Sequence, residues 1–238
     1  MILDIIHTTD LHGRRGIFDI IPNPSGDNII LDSGDAIKGS CTLFNFREPI
    51  LSEMKNIGFS AMAMGNREYS YFKNIVRMRA AEASFPILAA NVIFETPIDG
   101  IVPFINIERH GFKIAVIGLA PIQFYGKGTE PLSFFAGSRF IGYSEALNKI
   151  KKDISGADFR ILLSHSGLKE DIETAEECPF IDLILAGHSH LKFKEPVYAC
   201  GIPIIHSGAF GLSYAEIRID SDSKKIVSFR HVFPEAQD

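Results

Sequence analysis

Three cysteines are all that this chain of 238 residues contains, and Cys41, Cys178 and Cys200 are odd in number and unclustered. That excludes a disulfide framework or a cysteine-based zinc site and marks reduced thiols. No window approaches the ~18 consecutive apolar residues that a membrane span requires. The start, Met1-Ile2-Leu3-Asp4, has no basic segment, and an acidic residue interrupts its apolar run. The expectation is a cytoplasmic protein with no signal peptide and no membrane partner. Basic clusters are missing as well. With 24 Lys+Arg against 29 Asp+Glu and a formal net charge of −5, the chain does not read as a binder of nucleic-acid polymers. A small nucleotide remains compatible with that charge. Internal repeats, low-complexity stretches and linkers are also absent.

What is present is ordinary globular composition, 46% hydrophobic and 22% charged, which excludes disorder. A chain of this length buries roughly 70% of its extended surface and needs no covalent staples. The pattern predicts strands over Ile2 to Thr8, Asn28 to Asp32, Ser60 to Met64 and Pro86 to Ala90. Helices are expected over Pro49 to Ile57, stopping at Gly58, and over Tyr71 to Glu82 with Lys73, Arg77 and Arg79 on the polar side. A hairpin turning at His110-Gly111 joins Val102 to Ile107 with Phe112 to Leu119. A helix over Tyr143 to Ile154 follows, then strands over Phe159 to Ser164, Leu183 to Ala186 and Pro203 to Ser207. Ser213 to Asp220 and Lys225 to Phe233 alternate like an antiparallel ribbon. Strands interleaved with helices point to α/β layering, and the hairpins make the sheets mixed. Gly126 to Gly142 reads as a surface loop or lid.

Five polar clusters each follow a strand: Asp10-Leu11-His12-Gly13, Asp32-Ser33-Gly34-Asp35 with Gly39, Gly65-Asn66-Arg67-Glu68, Ser164-His165-Ser166-Gly167 and Gly187-His188-Ser189-His190. Ligands of α/β sheets bind at the carboxyl ends of strands, so the five would converge on one crevice. Two Asp, one Asn and four His form a mixed oxygen and nitrogen donor set suited to first-row divalent metals. Seven ligands exceed one tetrahedral site and suit two ions sharing a carboxylate, which can clamp a phosphoryl group and activate water. Each cluster alone is commonplace; it is their joint order that carries the signal. His7, His110 and His231 fit no pattern and read as structural or surface residues, while His206 could line the same cleft.

The ordered set DLHG, GDAIKG, GNRE, SHSG and GHSH resembles the calcineurin-like metallophosphoesterases. TTDLHG, LDSGDAIKGS and IIHSGAFGLSYAEI resemble the catalytic domain of 5′-nucleotidases and 2′,3′-cyclic-nucleotide phosphodiesterases. The resemblance runs from about Ile2 to Asp220. It implies a four-layer α/β/β/α sandwich and one catalytic domain over 1–238, without the C-terminal nucleotide-binding domain of the nucleotidases. It also implies two ions from among Mn, Fe, Zn and Co. One would take Asp10, His12, Asp35 and His190, and the other Asp35, Asn66, His165 and His188, with Asp35 bridging. The activity implied is hydrolysis of phosphate mono- or diesters, nucleotides included, by a hydroxide held between the ions.

One departure bears on the chemistry. The family's third motif reads GNHE with an acid two positions on, and that His protonates the leaving oxygen. Here Arg67 and Ser70 stand at those places. An arginine cannot act as an acid near neutral pH but can grip phosphate oxygens. A missing general acid typically costs ~10²–10⁴ in rate. Two expectations result: a phosphoesterase in which Arg67 and Asp35 serve catalysis, or a weakened module that keeps the metal cleft to bind a phosphorylated ligand.

Overall fold

The computed structural model describes residues 1–22, 28–40, 45, 47–70, 72–122 and 137–234. Two β-sheets pack face to face, and each carries helices on its outer side. The first sheet is built on β1 (Ile2–Thr8), β2 (Ile29–Asp32), β3 (Ala61–Ala63), β4 (Ile87–Leu88) and β6 (Ile101–Val102), which run parallel in that order. β14 (Tyr214–Asp220) and β15 (Lys225–Val232) add antiparallel on the free side of β1. In the second sheet, β8 (Phe112–Leu119), β10 (Phe159–Ser164), β11 (Leu183–Ala186) and β13 (Ile202–His206) are parallel. It is edged by antiparallel β7 (Phe104–Arg109) and β12 (Val197–Ala199). A small ribbon pairs β5 (Val92–Phe94) with β9 (Ser138–Phe140).

The layering follows from which side chains are apolar on both faces. Strands buried on both sides read as unbroken hydrophobic runs, as in Ile29-Ile30-Leu31 and Leu183-Ile184-Leu185. Between the sheets lie Leu3, Ile5, Leu31, Val116, Ile161, Leu163 and Leu185, all buried. Ile6, Ile30, Met62 and Met64 face the other way, onto α1 (Pro49–Ile57) and α2 (Lys73–Ala83). Ile117, Leu162 and Ile184 turn toward α3 (Tyr143–Ile150) and α4 (Leu168–Glu177). The expected α/β/β/α sandwich with mixed sheets is what forms.

The differences have local causes. α3 ends at Ile150 and runs into turns instead of reaching Ile154. α4 was not expected, because its apolar stripe is short: Leu168, Ile172 and Ala175 pack on the core, with Asp171 and Thr174 buried beside them. Arg79 was expected on the polar face of its helix, yet it is only 2% exposed. Of the expected Gly126 to Gly142 loop, 126–136 lie outside the described residues, and Ser138–Phe140 is strand β9. Cys178 is buried and Cys200 exposed, both as free thiols, while Cys41 lies outside the described residues. No helix among the described residues is long and apolar enough to cross a membrane.

Candidate metal centre

The carboxyl ends of β1, β2 and β3 in one sheet and of β10 and β11 in the other open onto the same edge of the sandwich. The loop after β1 is zipped to the loop after β2 by three backbone bonds: Asp10 N–H to Gly34 O at 2.9 Å, His12 N–H to Asp35 O at 2.9 Å and Gly13 N–H to Ala36 O at 2.7 Å. Strain concentrates here. Asp10, His12, Asp35, His188 and His190 all hold φ between 52° and 68°. That left-handed region is uncommon outside glycine, though Asp and His enter it more readily than most, and such residues gather at functional sites. Gly65 is required by close approach, since a Cβ there would sit 2.3 Å from Asp35 Oδ1 and 2.7 Å from Glu68 Oε2.

Five of the seven expected donors form two overlapping groups, Asp10 with His12 and His190, and Asp10 with Asp35 and His165, each within 4.8 Å. Asp10 Oδ2 is occupied by the Thr9 hydroxyl at 2.7 Å and the His188 N–H at 3.0 Å. Asp10 Oδ1 has no hydrogen-bond partner among the described residues. It faces His190 Nε2 at 3.2 Å, His12 Nε2 at 3.7 Å and His165 Nε2 at 3.8 Å. Asp35 spans the same gap, with Oδ1 3.5 Å from His165 Nε2 and Oδ2 3.9 Å from His12 Nε2. Either carboxylate therefore reaches both halves of the cluster. His188 completes it through its ring, 5.1 Å from that of His165. Asn66 precedes Arg67, whose N–H bonds Asp35 Oδ1 at 2.7 Å.

Three donor atoms of the expected set, Asp10 Oδ1 and His165 Nε2 in this cluster and Asn66 Oδ1 beside Arg67, are buried with no hydrogen-bond partner among the described residues. Leaving buried polar atoms unmade costs about 1–3 kcal/mol each, so three together need a reason, and cations supply one. The tautomer of His165 agrees. Nδ1 donates to the Ser33 carbonyl at 2.6 Å, which leaves a lone pair on Nε2 aimed at the carboxylates, as in histidine ligands oriented by an outer partner. Burial opposes charge on His165, yet Asp35 and Asp10 outweigh it and push its pKa up to about 10 in the polypeptide alone. Burial also opposes charge on the two carboxylates, which are nonetheless held below the usual range. His12, His165 and Thr9 do this for Asp10, and His165 with the Arg67 N–H for Asp35. The cluster attracts positive charge, and its donor types suit divalent transition metals.

Arg67 points into this cluster. Nε lies 3.6 Å from Asp35 Oδ2, and Nη1 donates to Lys38 O at 2.9 Å and Gly39 O at 3.2 Å. Its neighbours do not. Glu68 is 1% exposed, and its two oxygens accept the N–H groups of Asp35, Ala36, Ile37 and Gly65 at 2.9–3.3 Å. Burial, with the Asp35 charge, raises its pKa. The Tyr69 hydroxyl bonds Ser138 Oγ at 3.0 Å in the interior.

Glu68 and Arg79 are the functional supports that sequence reasoning missed. Arg79 Nη1 donates to the carbonyls of Arg67, Glu68 and Tyr69 at 2.7, 3.2 and 3.1 Å, and Nη2 to Ser40 O at 3.1 Å. Its place on a charged, low-apolarity helix gave no signal of burial. His7 is structural, bonded to Ser33 Oγ at 2.8 Å and Ser207 Oγ at 2.5 Å. His206 is fully buried, with its ring 4.9 Å from that of Phe193 and Nε2 3.9 Å from Asp171 Oδ2.

Residues 3–192 match the family model described as calcineurin-like phosphoesterase. A probable 5′-nucleotidase of Treponema pallidum is 30% identical over 189 residues, which cover 76% of this chain and 31% of that protein. A 2′,3′-cyclic-nucleotide 2′-phosphodiesterase/3′-nucleotidase of Salmonella typhimurium is 24% identical over 288 residues, 94% of this chain and 44% of that one. The chain thus spans less than half the length of either relative. The solved calcineurin-like phosphoesterase YfkN of Bacillus subtilis shares the fold, with a TM-score of 0.74 at 21% identity over 98% of this chain and 90% of its own. The family match runs through every donor loop from Asp10 to His190, and the chain belongs to the calcineurin-like phosphoesterases.

Proposed function

We propose that the protein is a metal-dependent phosphoesterase acting on a small phosphorylated substrate, with nucleotides the class suggested by the names of its relatives. The observation that carries this reading is the gathering of Asp10, His12, Asp35, His165 and His190 into two overlapping groups, each within 4.8 Å, in which Asp10 Oδ1 and His165 Nε2 are buried with no hydrogen-bond partner among the described residues. Asp10, His12, Asp35 and His190 would hold one divalent ion, and Asp35, Asn66, His165 and His188 a second. When bound, such a pair draws charge from the phosphoryl oxygens and lowers the pKa of water toward neutrality. The chain's own residues do the rest. Ser33 fixes the ring of His165, Glu68 and Gly65 fix the approach of Asp35, and Arg67 grips non-bridging phosphate oxygens, a contact worth about 1.5–3 kcal/mol.

No residue at position 67 can protonate the leaving group, and Glu68 and Tyr69 are turned inward. The leaving group therefore departs as an anion or takes its proton from solvent. That same absence favours a second reading, a cleft that captures a phosphorylated ligand without turnover. A screen of metal-loaded protein against mono- and diesters, with metal content measured on the same sample, separates the two. Turnover that Asp35→Ala abolishes along with metal binding supports the enzyme. Phosphate binding without turnover supports the capture module. Asp35→Ala binding metal as the parent does would sink the shared-carboxylate assignment.

A further inference from the structure

Phe210 is a bulky apolar residue held at φ 62°, a conformation that strains such a side chain and that gathers at functional sites. Its loop is tied to two of the donor loops. Its own N–H bonds Asp10 O at 2.7 Å, and the Gly208 N–H bonds Leu191 O at 3.0 Å. The ring is thereby set against two donor rings, 5.0 Å from that of His12 and 4.9 Å from that of His190. Those two stand edge-on to each other at 5.0 Å, with their Nε2 atoms 3.2 Å apart. The Arg14 guanidinium lies over the Phe210 ring, 5.0 Å from its centroid, a contact that holds the ring in place.

A histidine ligand is ordinarily oriented by a partner on its other ring nitrogen. His165 has one, the Ser33 carbonyl at 2.6 Å. The polar contacts of His12 and His190 run through Nε2, to each other and to Asp10 and Asp35. No hydrogen bond among the described residues reaches Nδ1 of either ring. They also form the exposed side of the cluster, with side chains 12% and 37% exposed against 0% for His165. Rotation about the bond to an imidazole ring is soft, so these two rings need something else to aim them. We propose that Phe210 is their positioning residue. Packing against its ring does for His12 and His190 what the Ser33 carbonyl does for His165. The left-handed backbone at position 210 is what presents that ring to them. That the two histidines are metal ligands rests on the metal-dependent phosphoesterase reading; their positioning by Phe210 does not.

Ring-carbon NMR relaxation of the histidines in the metal-free chain, together with equilibrium dialysis against Mn²⁺, tests this on the parent and on Phe210→Ala. In the parent the rings of His12 and His190 should be as ordered as that of His165. In Phe210→Ala those two rings should gain motion while His165, held by Ser33, keeps its order, and Mn²⁺ affinity should fall about 10–100-fold. Phe210→Tyr, which keeps the ring, should restore both. Leu212→Ala, which removes an exposed side chain from the same loop, should change neither. Mobile His12 and His190 rings in the parent, or a Phe210→Ala variant that matches the parent in either ring order or Mn²⁺ affinity, overturns the proposal. So does loosening that reaches His165 equally, which is the mark of a residue that merely supports the fold. Should Phe210→Ala fail to fold, Phe210→Leu, which keeps bulk and loses the flat ring, is judged by the same outcomes. A parent that binds no Mn²⁺ at any concentration would instead sink the phosphoesterase reading, and ring order alone would then decide the role of Phe210.

Discussion

At the scale of single residues, the proposed phosphoesterase reading makes position 67 the one that would decide which esters are cleaved. An enzyme without a proton donor should turn over aryl phosphates and phosphoanhydrides, whose leaving groups are already acidic, much faster than simple alkyl monoesters. Arg67→Ala should weaken phosphate binding and turnover together, because the contact acts in ground and transition states alike. Arg67→His by itself would lack an acidic partner, since Ser70 is buried and its Oγ accepts the Phe72 N–H at 3.3 Å. Arg67→His with Ser70→Asp should gain alkyl-ester turnover that neither change gives alone. A double variant with the parent's aryl-to-alkyl rate ratio would remove position 67 from contact with the leaving group. Glu68 makes a different kind of prediction. Its carboxylate satisfies four backbone N–H groups, and an amide nitrogen in place of one oxygen cannot accept. Glu68→Gln should cost about 2–6 kcal/mol, from the ~1–3 kcal/mol of each of the two orphaned donors, read as a lowered urea midpoint with unchanged slope.

At the scale of elements, the centre is held by strand-end loops tied across the two sheets. Ser33, after β2, accepts the His165 ring N–H from the loop after β10 and donates its hydroxyl to Leu185 O on β11 at 2.6 Å. His7 on β1 locks the same serine to Ser207 beyond β13. Burial, aided by the charge His206 would carry, pushes the His7 pKa down to about 3. A His with a depressed folded pKa gives stability that is whole above its unfolded value near 6.5 and is lost as pH falls through the folded value. The protein should therefore lose on the order of 5 kcal/mol between pH 6.5 and about 3 from this residue. His7→Gln, which can keep both serine bonds, should show a shallower acid limb in melting temperature than the parent. Equal limbs would show that His7 does not titrate on unfolding. Asp171 on α4 works in the opposite sense. Burial raises its pKa to about 7, so its contribution is whole below the unfolded value near 4 and is lost as pH rises toward 7.

At the scale of the whole molecule, the candidate donor cluster draws on both sheets, because Asp10 and Asp35 come from the first and His165, His188 and His190 from the second, so a bound ion would couple them. A ligand that binds only the folded state stabilises by RT ln(1 + [L]/Kd), about 4 kcal/mol at a thousandfold excess over Kd. For a chain of this size that is roughly 8–16 °C in melting temperature. Adding a chelator to metal-loaded protein should reverse that gain, and Asp35→Ala should melt at the same temperature with or without metal. A parent indifferent to the chelator would contradict metal bridging of the sheets.

The α/β layers, the order of the strands along the chain and five donors that the fold brings together, Asp10, His12, Asp35, His165 and His190, were readable from the sequence. Periodicity and turn chemistry are local, and each donor directly follows its own strand. Asn66, for example, was identified from its motif alone and needed no knowledge of its neighbours in space. What the chain could not disclose was anything set by contacts between distant segments. Glu68 binds backbone 31 to 33 residues away, and its burial depends on how the loops after β2 and β3 meet. Arg79 looked like a solvated charge because its helix has little apolar character, and only the carbonyls of Arg67, Glu68, Tyr69 and Ser40 converging on it make a buried guanidinium tolerable. The direction of Arg67 was equally undetermined: its type said that it could hold an anion, but the carbonyls of Lys38 and Gly39 turn it onto Asp35. Sequence wrote the donors in order, and long-range backbone hydrogen bonds, which have no local signature, decided which way they face.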